Sequence, residues 1–137
     1  MKKILIIGSI HNHGIDLLKG NKNFEFQVVD NTDTEFLKDK IKDCDGISIR
    51  TSKLSKEIID SAKNLKVISR HGVGYDNIDL KATKQNNITL AITATANAQA
   101  VAEHVLFMLF SIAKRNNMYN ETCLLYTSPS PRDVGIS

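Results

Sequence analysis

The residues best placed to do chemistry lie in three short polar stretches, each following an apolar run: Gly8 to Asn12, Arg50-Thr51-Ser52, and Arg70-His71-Gly72-Val73-Gly74. Together they offer a guanidinium, hydroxyls and backbone amides, groups that hold a carboxylate or phosphate through charge-assisted hydrogen bonds. Glycines one residue apart, Gly72 and Gly74, can take positive φ and bare the backbone, so the amides of Gly72, Val73 and Gly74 are expected to converge on a small anion. A glycine-rich turn with no ligand is the plain alternative, because short glycine matches are common. The dinucleotide fingerprint G-x-G-x-x-G is not met: Asn77 stands where the third glycine belongs, and Ile92 to Asn97 supplies no acidic partner. The stretch reads as a strand-to-helix turn that binds a small anion or packs near a cofactor, not as a pyrophosphate loop.

Four histidines invite acid/base or metal roles. His11 and His13 flank Asn12, but two such ligands without a third carboxylate or thiol at ligand spacing do not make a metal site. No metal is expected.

These stretches are positioned by alternating strands and helices. Strands are expected at Lys2 to Gly8, Phe24 to Val29, Gly46 to Ile49, Val67 to Ser69 and Ile88 to Ile92, from short β-branched runs bounded by turn residues. The first is apolar on both faces, as a central parallel strand covered by helices must be. Helices are expected around Gly14 to Leu18, after a cap at Thr32 or Asp33, over Lys56 to Ala62 after Ser52 or Ser55, and over Leu80 to Gln85 behind Asp76, Asn77 and Asp79. Short connections between alternating elements give a parallel sheet wound by right-handed crossovers. Ligands in such sheets collect at the carboxyl ends of the strands, where all three polar stretches fall. The run AVAEHVLFMLFSIAKR is apolar nearly all round, which predicts a helix of the kind buried between layers or domains. Within this chain little remains to cover it, so it is expected to be left exposed here.

At 137 residues and 42% hydrophobic, the chain has enough apolar material for one ordinary core. A net charge of +3 with alternating lysines and acids, as in FLKDKIKD, describes solvated helix faces. Nucleic acid is not indicated, for want of a basic patch with interleaved aromatics. A membrane is not indicated either, since Val105 to Ala113 is far short of the roughly 20 apolar residues a spanning helix needs. The segment CLLYTSPSPRD, Cys123 to Asp133, lacks periodicity and holds both prolines. It resembles the conceptual translation of a transposase-type sequencing adapter, so the natural sequence is expected to end near Thr122, and the tail to be disordered. Cys44 is then the one native cysteine, which fits a reducing, cytoplasmic setting.

The segment RHGVGYDNIDLKAT, the later ANAQAVAEHVL, and SIRTSKLSKEII are together similar to the D-isomer-specific 2-hydroxyacid dehydrogenases, nearest the phosphoglycerate dehydrogenase branch. Thr95-Ala96 departs from the Pro-Gly common there. The resemblance runs from about Lys2 to Arg115 and implies the α/β, flavodoxin-like substrate (catalytic) domain of a much longer protein. It implies a division into a substrate domain over 1–96, a crossover helix over 97–118 leading into an NAD-binding Rossmann domain, and a non-native tail over 119–137. It further implies that Arg50 and Ser52 bind the substrate carboxylate or phosphate. The amides of Gly72, Val73 and Gly74 would hold the carboxylate, with Val73 also near the nicotinamide. Asn97 and Val101 to His104 would form the crossover. The catalytic arginine, glutamate and histidine are expected downstream of Arg115, so His71 and His104 are not expected to act as the acid/base. The parent would use NAD or NADP and a small 2-hydroxy acid, with 3-phosphoglycerate a candidate, as a homodimer or tetramer. The chain alone is expected to bind no cofactor.

Two rivals are non-catalytic. A phosphoacceptor receiver needs clustered acids after the first strand and an aspartate ending the third, where Ser9 and Arg50 stand. A nucleotide-sensing or binding module on the same fold is separated only by the downstream sequence.

Overall fold

A computed structural model describes residues 1–124. The chain divides into two units, Met1–Ala96 and Asn97–Ser137. In the first, the elements run β1 (Lys2–Ile7), α1 (Asn12–Lys19), β2 (Phe24–Val29), α2 (Thr34–Ile41), β3 (Gly46–Ile49), α3 (Lys56–Ser61), β4 (Val67–Arg70), α4 (Leu80–Gln85) and β5 (Thr89–Ile92). The five strands form one sheet in the order β2-β1-β3-β4-β5, all parallel. This is the flavodoxin-like order, and its reversal between β1 and β3 opens a crevice at their carboxyl ends.

Side-chain alternation explains the layering. Leu5, Ile47, Ile68 and Leu90 lie in register across β1, β3, β4 and β5. With Ile7 and Ile49, the first three meet Leu37 and Ile41 of α2, Ile58 and Ile59 of α3 and Ala82 of α4 in one buried cluster, against which the partly buried Leu90 packs. Alternating residues Ile4, Ser48 and Val67 line an apolar groove of ≈ 450 Å³ with Ile10 and Leu18. Of its charged residues, Lys2 and Asp45 pair with each other at 2.7 Å, which leaves Lys66 in a mainly apolar lining.

The helix starts show local corrections. α1 opens at Asn12, capped by His11, whose Nδ1 accepts from the His13 amide at 3.2 Å. Asp33 and Ser55 occupy cap positions without side-chain cap bonds. Asp79 does cap α4, accepting from the Ala82 amide at 2.9 Å.

The second unit holds α5 (Ala98–Ala113) and α6 (Asn116–Leu124), separated at Lys114-Arg115, where Arg115 has φ 48°. As expected for this chain, the apolar helix is left exposed: no residue of α5 is buried, and Phe107 and Phe110 are 60% and 61% exposed. Residues 119–124, within the stretch expected to be a disordered tail, are helical; the rest of that stretch lies outside the described residues.

Candidate functional site

The end of β1 and the end of β3 lie side by side, because Ile7 pairs with Ile49. Past them the chain turns at Gly8, with φ 83°, and at Arg50-Thr51-Ser52. These turns enclose a cleft of ≈ 310 Å³ lined by Ile7, Gly8, Ser9, Asp30, Thr32, Arg50, Thr51 and Ser52. It sits at the topological reversal of the sheet, the position where ligands of such folds collect. Arg50 is exposed and Ser52 half-buried. Among the described residues the ion pairs involve lysines alone, so Arg50 and Arg70 carry no neutralising carboxylate. A guanidinium without an internal partner, beside two hydroxyls, suits an incoming anion. Asp30 on the opposite wall disfavours negative charge at its end of the cleft.

The glycine loop borders this cleft without lining it. The His71 amide donates to the Ile49 carbonyl at 2.8 Å, which fixes the loop one strand away from Arg50. The expected three-amide cradle is smaller than the sequence reading has it. The Gly72 amide donates to the Arg70 carbonyl at 3.0 Å and is spent inside a tight turn. Of the two glycines, Gly72 alone takes positive φ. The amides of Val73 and Gly74 have no protein acceptor among the described residues and remain for a ligand.

Arg70 belongs to the third polar stretch, but sequence reasoning assigned it no role of its own. It ends β4 and is half-buried, with Nη1 donating to the His71 carbonyl at 3.2 Å. Its Nε is buried with no hydrogen-bond partner. A buried unsatisfied donor costs free energy unless a ligand meets it. The signal was present only as a basic residue closing a strand beside glycine. Lys53, the candidate from sequence for the extra cation that a phosphorylated substrate would need, lines a separate groove with Lys56, Glu57, Asp76 and Asp79.

A dinucleotide does not fit these residues as they stand. At the third-glycine position of the fingerprint, the carboxamide of Asn77 is committed to the Ser52 carbonyl at 2.6 Å, and the Gly72 amide is already used. The histidines are accounted for structurally where contacts exist. His11 caps α1, and His104 stacks on Phe107 with ring centroids 6.2 Å apart. No group of His, Cys, Asp and Glu able to hold a metal occurs among the described residues, and no helix there is long and apolar enough to cross a membrane.

Comparison with known proteins agrees on one family. The sequence profile of the D-isomer specific 2-hydroxyacid dehydrogenase catalytic domain matches residues 4–131. A Staphylococcus saprophyticus protein named as a 2-hydroxyacid dehydrogenase is 36% identical over 119 residues, covering 84% of this chain and 37% of its own length. D-3-phosphoglycerate dehydrogenase of Methanocaldococcus jannaschii is 34% identical over 115 residues, covering 83% of this chain and 22% of its own. The chain therefore spans about a third or less of these curated relatives. Among solved structures, a Pyrococcus horikoshii protein superposes with TM-score 0.83 at 24% identity, over 98% of this chain and 40% of that one. The NAD+-bound 3-phosphoglycerate dehydrogenase of Entamoeba histolytica gives 0.67 at 29% identity, over 80% and 38%. The chain belongs to the D-isomer specific 2-hydroxyacid dehydrogenase family.

Proposed function

We propose that this chain is the substrate-binding part of an oxidoreductase that passes a hydride between a D-2-hydroxy acid and NAD or NADP. The observation that carries the reading is the pairing of an unpaired Arg50 and a half-buried Ser52, at the sheet's reversal point, with the free Val73 and Gly74 amides across one strand. Arg50 and Ser52 would hold the anionic end of the substrate, and the Val73 and Gly74 amides its carboxylate, with Val73 beside the nicotinamide. Arg70 supplies a second cation, which favours a substrate with an additional anionic group such as 3-phosphoglycerate. The groups that hold the dinucleotide, and the arginine, glutamate and histidine that act on the hydroxyl, belong to sequence beyond the substrate domain. Residues 1–96 would be that domain, and residues 97–118 the link toward the nucleotide domain. A cytoplasmic homodimer or tetramer is the assembly proposed for the full-length protein.

The test is NADH formation by the full-length protein with paired D- and L-2-hydroxy acids. Turnover of D-isomers is expected; turnover of neither isomer with NAD or NADP would overturn the assignment in favour of a binding module.

A further inference from the structure

We infer that Asn77 is a positioning residue whose side-chain amide ties the Arg50–Ser52 turn to the segment that follows the glycine loop, so that both halves of the site meet one substrate in fixed register. The inference rests on the substrate reading above.

Two kinds of contact join these segments. The backbone contacts act at Leu54: its amide donates to the Asn77 carbonyl at 2.8 Å, and its carbonyl accepts from the Asp79 amide at 3.0 Å, making an isolated parallel bridge between Leu54 and Ile78. Leu54 and Ile78 are 0% and 4% exposed, so this bridge is anchored in the core. Asp79 adds rigidity by capping α4, whose Ala82 and Thr83 are also buried. These contacts hold position 54 and stop there.

The side chain of Asn77 reaches further back. Its Nδ2 donates to the Ser52 carbonyl at 2.6 Å. A carbonyl only accepts, so the amide nitrogen faces it and the orientation of the carboxamide follows. This bond spans 25 residues of sequence and grips the turn two residues from Arg50. Ile49 and Leu54 anchor the two ends of that turn, and among the described residues no ion pair holds Arg50 between them. The Asn77 side chain thus fixes the part of the loop that carries the binding groups, while the backbone bridge alone would satisfy the fold. Substrate groups held 1 Å out of place lose much of the benefit of orientation.

The experiment uses the full-length protein with Asn77→Ala and Asn77→Asp. Asn77→Ala is expected to raise KM for the hydroxy acid about three- to tenfold, the loss of one neutral hydrogen bond, with kcat nearly unchanged. In Asn77→Asp a carboxylate opposes the Ser52 carbonyl at neutral pH. Below about pH 4 the added carboxyl gains a proton and can donate again. The ratio of mutant to wild-type KM should therefore fall as pH falls for Asn77→Asp, and stay flat for Asn77→Ala. Support for the fold alone would lower melting temperature and active fraction without moving KM or this ratio. Amide relaxation in the 137-residue chain gives a readout independent of activity: Asn77→Ala should mobilise residues 50–53 and leave Ile47 and Ile68 unchanged. Unchanged KM, a flat Asn77→Asp ratio or unaltered loop motion would overturn the inference. An inactive wild type counts against the dehydrogenase reading, and loop motion then decides this one alone.

Discussion

The guanidinium of Arg70 occupies the space that a β-carbon on Gly72 would need, and Gly72 sits at φ +148°. The backbone conformation favours glycine here, whereas the guanidinium is the far end of a flexible side chain that can shift. Gly72→Ala should therefore displace Arg70 and strain the turn, lowering unfolding free energy by about 1–3 kcal/mol. Urea unfolding of the variant checks this; an unshifted midpoint would mean that the turn relaxes to a conformation alanine tolerates.

Arg50→Ala in the full-length protein should raise KM through loss of a charge-assisted contact, worth about 1.5–3 kcal/mol. Steady-state kinetics with the preferred D-2-hydroxy acid measures it. KM at the wild-type value would make Arg50 an ordinary surface residue.

How much of this was legible in the sequence depended on the range of the determining contact. β2, β3 and α4 occupy the residues expected of them, because turn residues bound each run locally. The start of α1 was missed, since imidazole is not among the preferred capping groups and only the geometry of His11 shows it serving as one. The lost Gly72 amide depends on a turn whose φ values no pattern specifies. The Asn77 tether joins residues 25 apart and leaves no periodic signal. α5 was legible as a helix, and as one left exposed in this chain, because hydropathy marks its apolar face and little of the remaining sequence could cover it.

That uncovered helix has a measurable consequence. Phe107, Phe110 and Ile112, the last 75% exposed, present more apolar surface than a soluble monomer usually tolerates. The 137-residue chain should self-associate, and Phe107→Ser with Phe110→Ser should raise its monomer fraction in light scattering. A monodisperse wild-type monomer would count against this.

Stability should also fall in acid through Asp45. Lys2 Nζ at 2.7 Å and the Lys3 amide at 2.9 Å hold its carboxyl below the ordinary value of 3.8. A carboxyl lowered in the folded state stabilises above its unfolded value and loses that contribution as pH falls through the folded one. Asp60, lowered by Lys56 and Asn86, acts in the same direction. Asp45→Asn should weaken the chain at neutral pH and reduce the drop in urea midpoint between about pH 5 and pH 2. An equal drop in the variant would place the acid sensitivity elsewhere.

The most direct measurement of the central claim is calorimetric titration of NAD into the 137-residue chain and, in parallel, into the full-length protein. If the chain carries the substrate half of the site and the dinucleotide groups lie elsewhere, the full-length protein binds NAD and the chain gives no specific heat of binding. Micromolar NAD affinity in a monomeric 137-residue chain would contradict the account, placing the nucleotide site among residues assigned here to the substrate.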